Sequence, residues 1–220
     1  MDGDVTRLFD AIRAGDLDTV RALLAADPGI VNRRNEQGHS PVLIAQYRHQ
    51  PAVLAVLLAA GPELDLFDAC SAGANERVAA LLDRDPVLVN AYSDDGFYPL
   101  GLAAFFAHPD TVRLLLARGA NVTQAARNPM RVQALHAAAA SRSTEIVRLL
   151  VEAGAPVNAT QQEGWAPLHE AVNSGNLEMA RYLVAHGADP RQANDAGTSA
   201  LDLAKGKGNK EILSILEGAA

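Results

Sequence analysis

Six histidines, one cysteine and a few paired carboxylates are the residues of this chain that could carry chemistry. Histidine beside a carboxylate does acid–base work near neutral pH, and with cysteine it binds metals or activates a thiolate. Each use needs a fixed spacing. His39, His49, His108, His136, His169 and His186 show no His-x-x-x-His pair and no Cys/His ligand spacing, so a structural zinc site is not expected. Cys70 excludes an intramolecular disulfide, and it stands where Ile12 stands in an earlier, similar stretch, which reads as a buried structural thiol. Ser141 and Ser143 lack the G-x-S-x-G elbow of a hydrolase nucleophile. Gly206-Lys207-Gly208 has neither the spacing of a phosphate loop nor a strand before it. Asp94-Asp95 lies in a turn, where aspartate makes local hydrogen bonds; paired carboxylates need a desolvated pocket to act as acid and base. No catalytic residue, cofactor or metal is expected.

Composition narrows the partner class. The chain has 220 residues, 49% hydrophobic and 20% charged, with net charge −7. No Lys/Arg cluster tracks phosphates, and the three lysines of Lys205–Lys210 read as solvated surface, so nucleic acid is not an expected partner. The acidic surface suits a partner with a basic rim. The first ten residues show no basic segment followed by an apolar one. The longest apolar run, Ala52 to Gly61, is too short to span a bilayer, which takes roughly 18 apolar residues. Cytoplasmic residence and no membrane contact are the expectation.

The elements that would position any site repeat along the chain. Leu8, Val42, Leu66, Leu100, Leu135, Leu168 and Leu201 mark one register, spaced 34, 24, 34, 35, 33 and 33 residues apart. Three residues beyond each mark stands alanine: Ala11, Ala45, Ala69, Ala103, Ala138, Ala171 and Ala204. Positions i and i+3 share a helical face, and the small residue lets a neighbouring helix approach closely. A second apolar stripe follows, as in Val20-Leu23-Leu24, Val112-Leu115-Leu116 and Ile146-Leu149-Leu150, the i, i+3, i+4 pattern of an amphipathic helix. Gly38, Gly96, Gly164 and Gly197 precede the mark by four residues, where a tight turn needs positive φ. Pro41, Pro99 and Pro167 open the helix, where a missing N–H is harmless.

The strings APLHEA (166–171), QALHAA (133–138), SPVLIA (40–45) and YPLGLA (98–103), with GANV (119–122), GAPVN (154–158) and GADP (187–190), resemble the ankyrin repeat over nearly the whole chain. The resemblance implies an all-α solenoid of about seven antiparallel helix pairs with short hairpin or loop fingers, acting in protein–protein interaction. It also implies that His136 and His169 hold backbone groups of the adjoining loop. The units are set at 1–34 (N-terminal cap), 35–64, 65–92, 93–126, 127–159, 160–193 and 194–220 (C-terminal cap). The caps carry polar residues: Asp2, Asp4 and Arg7 at one end, Lys205, Lys207, Lys210 and Glu211 at the other, trailing into Gly218-Ala219-Ala220.

Departures from the pattern are specific. Residues 8–32 and 66–90 match at fourteen of twenty-five positions, which reads as a duplicated two-unit block. The 24-residue spacing leaves only Gly61-Pro62-Glu63-Leu64-Asp65 between helices, so the finger before unit three should be missing. Asn128-Pro129-Met130-Arg131-Val132 replaces the turn glycine of unit five, which should make that finger irregular.

The resemblance places binding on a concave face of fingertips and inner helices. Those positions hold six of the ten aromatics, Tyr47, Tyr92, Phe97, Phe105, Phe106 and Trp165, ringed by Asp94, Asp95 and Glu163. Grouped exposed aromatics are the signature of a partner site. Phe105 and Phe106 could instead fill the space left by the missing finger. The alternatives are a regulatory subunit masking an enzyme's active site and a hydrolase-like enzyme within the array; the groove could also close on a second copy as a weak homodimer.

Overall fold

The computed structural model describes residues 3–219; Asp2 and Ala220, expected in the caps, lie outside them. Seven helix pairs follow one another: α1 (Gly3–Ala14) and α2 (Leu17–Ala26), α3 (Pro41–Tyr47) and α4 (Pro51–Ala59), α5 (Leu66–Ala72) and α6 (Asn75–Arg84), α7 (Pro99–Phe105) and α8 (Pro109–Ala117), α9 (Ala134–Ala140) and α10 (Thr144–Glu152), α11 (Pro167–Asn173) and α12 (Leu177–Ala185), α13 (Ala200–Lys207) and α14 (Lys210–Glu217). First helices stack on first helices throughout, and second on second on either side of the α4–α6 step, giving two layers. This is an all-α solenoid. Among the described residues the fingers contain no strands, only isolated bridges between Ala125 and Gln133 and between Ala193 and Ser199.

Local chemistry sets the helix ends. Pro41, Pro99 and Pro167 occupy the first helical position, and Ser40 Oγ accepts from the Leu43 N–H at 3.0 Å. Asp16, Ser143, Asn176 and Asn209 cap the second helices of their pairs in the same way. All seven register alanines are buried, as are the register residues from Leu8 to Leu168; Leu201, in the last unit, is half-buried because no further pair covers it. In the second layer Val112, Leu115, Ile146 and Leu150 are buried while Leu116 and Leu149 are only partly so.

Neighbouring fingers are joined by a backbone bond where both exist. Arg127 N–H donates to Gly96 C=O (2.8 Å), Gln162 N–H to Met130 C=O (3.1 Å), and Asp195 N–H to Glu163 C=O (3.0 Å). The finger of residues 127–132 turns through Arg131, at φ 50°, without a glycine. Between α4 and α5 the chain runs through residues 60–65 with no finger. Gly38 C=O, which has no following finger to meet it, accepts instead from Arg34 Nη1 at 2.8 Å. Arg34 Nη2 in turn pairs with Asp65 (2.7 Å) and Asp68 (3.1 Å), and Ser40 Oγ donates to Asp68 at 2.6 Å. A cavity of about 300 Å³ remains there, lined by Arg34, His39, Asp65, Asp68, Asp94 and Asp95.

Two stability tests follow from this geometry. Every pair turns between its helices through one left-handed residue: Gly15, His49, Gly73, Ala107, Arg142, Gly175 and Gly208, with φ from 50° to 70°. That conformation costs a non-glycine residue roughly 1–2 kcal/mol. After the entropy that glycine adds to the unfolded chain, Ala107→Gly should stabilise by about 0.5–1 kcal/mol, about 2 °C in melting temperature. A lowered melting temperature would show that Ala107 is unstrained. Asp68 is 2% exposed, and burial, then the Asp65 charge, push its carboxyl above the ordinary aspartate range, outweighing Ser40 and Arg34. A folded-state pKa above the unfolded one means the native state binds more protons between them, so stability falls as pH rises through that window. Asp68→Asn should therefore melt above the wild type at neutral pH, with the gap closing as pH falls toward ~4, the unfolded aspartate value. Melting by circular dichroism across that range checks it; a variant that melts lower at neutral pH would make Asp68 a net stabiliser.

Candidate protein-interaction surface

The nine residues singled out from sequence do not form one patch. Tyr47, the last residue of α3, lies with its ring 6.4 Å from Phe97 and 5.6 Å from Phe106, and edge-on to His39 at 6.1 Å. The missing finger lets residues of units two and four touch in this way. Phe105 and Phe106 make an edge-to-face pair at 5.1 Å. Tyr92 belongs elsewhere: Arg127 covers its ring at 3.9 Å, and its hydroxyl donates to Ala125 C=O. Trp165 stands beside its own helix, 5.6 Å from the His169 ring, in a shallow cleft with Gln161, Glu163 and Glu170.

The expectation that all six aromatics stand exposed needs correcting. Phe105 alone is exposed, at 41%; Tyr47, Tyr92, Phe97, Phe106 and Trp165 are half-buried. Tyr92, Phe97 and Phe106 pack against the core, because a side chain at a finger base is covered by the next finger or the next helix. Phe106 does fill space beside Tyr47, whereas Phe105 does not. Of the carboxylates, Asp94 and Glu163 are exposed and Asp95 is half-buried.

Asp95 is the polar centre of the Tyr47 group. It accepts from His39 Nε2 (3.2 Å), Ser93 Oγ (2.5 Å) and the Tyr47 hydroxyl (3.4 Å). Burial, then the Asp95 charge, push the Tyr47 phenol far up, so it stays a donor. A serine, an aspartate and a histidine meet here, but in the wrong order for nucleophilic catalysis. Ser93 touches the carboxylate and not the imidazole, so no base takes its proton. His136 and His169 hold the carbonyls of Ala159 and Thr198, and burial depresses both imidazoles. Cys70 is fully buried, which drives its thiol far up. Among the described residues no three metal-ligating side chains converge.

Sequence reasoning missed the other wall of the groove. Met130 is 49% exposed and, with Val132, Ala140 and Gln161, faces Tyr47, Phe97 and Phe105 across an almost wholly apolar groove of about 300 Å³. The signal lay in the irregular Asn128–Val132 stretch, whose methionine sits at a fingertip.

Comparison with known proteins agrees with this architecture. The family described as "Ankyrin repeats (3 copies)" matches residues 66–161 and 135–219. The ankyrin repeat domain-containing protein SAT10 of Stachybotrys chartarum is 31% identical over 160 residues, 71% of this chain and 8% of that protein. The putative ankyrin repeat protein L371 of Acanthamoeba polyphaga mimivirus is 26% identical over 178 residues, 73% of this chain and 23% of that protein. The E3 ubiquitin-protein ligase KEG of Arabidopsis thaliana is 32% identical over 96 residues, 44% of this chain and 6% of that protein. The chain thus spans less than a quarter of the length of each of these relatives. Among the described residues no helix is long and apolar enough to cross a membrane.

Proposed function

We propose, from the premise that this chain belongs to the ankyrin-repeat family, that it is a non-catalytic scaffold which receives a protein partner on its fingers and first helices. One observation carries the reading. A groove lined by Tyr47, Phe97, Phe105 and Met130 is left open on that side, and Phe105 and Met130 are two of the three large apolar side chains exposed among the described residues. Aromatic and methionine side chains in a partly desolvated groove are the residues that dominate interface energetics. Asp94, Asp95 and Glu163 stand near it, and a partner with a basic rim would be drawn on faster by them. The partner also meets Phe106 beside the groove, Trp165 in the adjoining cleft, and Tyr92 apart from both, next to Arg127. In this reading the free chain is a monomer, and the stack presents a surface already ordered, so little conformational entropy is lost on binding.

Phe97 and Trp165 are half-buried, so alanine there would disturb packing together with binding. Phe105 avoids that difficulty. A photo-crosslinking amino acid at Phe105 should capture the partner from lysate of the source cells, whereas the same probe at Val87, which is 81% exposed beyond α6 in the other layer, should not. Capture from Val87 alone would move the interface to the second layer. A crosslinked homodimer from Phe105 would make the groove a self-association surface.

A further inference from the structure

The apolar groove is the middle one of three adjoining cavities, and their linings differ in kind. No aspartate, glutamate, lysine or arginine lines the groove itself. Its hydroxyls are committed, Tyr47 to Asp95 and Tyr98 to Gln124 C=O. His136 offers an occupant nothing, since Nε2 is on Ala159 C=O and Nδ1 is sealed within the protein. Gln161 is the exception. It is half-buried at the groove's edge, and its side-chain amide makes no bond among the described residues. A carboxamide carries an acceptor oxygen and an NH2 donor, the complement of a peptide group. The lining therefore suits a large apolar side chain whose own backbone meets Gln161 at the mouth. With about 300 Å³, the groove takes one such side chain.

Charge on either side selects what carries that side chain. Toward unit two, the Tyr47–Asp95 bond joins the groove to the cavity of the missing finger. Asp65, Asp68, Asp94 and Asp95 line that cavity against one arginine, Arg34, which is already paired with the first two. Asp94 is exposed and holds no ion pair among the described residues. At unit six, the cleft that shares Gln161 is lined by Glu163 and Glu170 and by no lysine or arginine. An uncharged groove between two acidic clefts complements a chain that is basic, apolar and basic in turn. An extended chain advances about 3.3 Å per residue, so its cations belong within about three residues of the anchor. We propose that the three cavities receive one extended segment of the partner. A large apolar side chain fills the groove, and a lysine or arginine on each side of it meets Asp94 and Glu163. This rests on the binding reading above and names the segment that makes the contact.

Three dye-labelled peptides, titrated with the whole chain by fluorescence anisotropy, test this. The parent is Arg-Arg-Ser-Phe-Ser-Arg-Arg; one relative has serine for phenylalanine, and the other has neutral citrulline for every arginine. The parent should bind, and the serine relative should bind about ten-fold more weakly, the worth of burying one large apolar side chain. Ala140 ends α9 at the groove wall and is exposed, so Ala140→Leu should block the groove. That variant should weaken the parent by a similar factor while melting within about 2 °C of the wild type, as a surface change does. Asp94→Asn and Glu163→Gln should each weaken the parent about three-fold, the worth of one exposed ion pair, and leave the citrulline peptide unchanged. Glu76→Gln removes the same charge from exposed α6 in the other layer and should leave the parent's binding as it was. Four results overturn the assignment: a serine relative that binds as tightly as the parent, unchanged binding by Ala140→Leu, Asp94→Asn or Glu163→Gln acting no more than Glu76→Gln, or no saturable binding of the parent. Capture from Phe105 is read separately: if it persists while the peptides fail, only the segment falls.

Discussion

A helix of seven to twelve residues cannot bury its own apolar face, and this whole molecule depends on that constraint. Isolated helices of such length are marginal in water, so each pair is held by its two neighbours. What makes the stacking close enough is the alanine three residues past each register position. From Ala11 to Ala204 all seven are buried, and a bulkier side chain at any of them would hold adjacent first helices apart. Because burial runs along the stack and not through the loops, a finger can be lost without interrupting the core. Leu64 within the fingerless link and Leu66 just beyond it remain buried.

Losing the finger still leaves polar groups to satisfy, and the chain does so with charge. Elsewhere the next finger's N–H meets the turn carbonyl. At Gly38 the Arg34 guanidinium stands in for it, and its positive charge sits on Asp65 and the buried Asp68. Replacing a neutral backbone donor by an ion pair exchanges one unsatisfied carbonyl for a desolvated carboxylate, which is why the Asp68 carboxyl is pushed up despite its arginine. The same absence brings finger two against finger four, so that His39 and Tyr47 reach Asp95 directly. The break in the repeat thus assembles a polar and aromatic cluster that a regular array would have kept apart.

The periodic part of this fold was legible in the sequence because periodicity is what it consists of. Leucine and alanine at fixed spacing name a helix face, and proline and glycine name its boundaries. Exceptions in residue type were not legible. His49, Ala107 and Arg142 take the left-handed turn that glycine takes in the other pairs, and no feature of those side chains announces it. Exposure was the larger difficulty. Tyr47 and Phe97 lie fifty residues apart in sequence and Trp165 far beyond, and whether each is covered depends on which finger stands next to it. That is a tertiary fact: Tyr92 is capped by Arg127 from the following finger, whereas Phe105 meets nothing that covers it. Met130 was passed over because a lone methionine at a fingertip gives no pattern.

Regular positions of a repeat are committed to their neighbours, and so chemistry left over collects where the repeat departs from itself. The groove lies between two such departures, the absent third finger and the glycine-free fifth one. The first frees the Tyr47 side of the wall, and the second supplies Met130 and Val132. A regular third finger would have kept Tyr47 from Phe97. The groove therefore arises from the two irregularities together and would not be expected on a perfectly repeating stack.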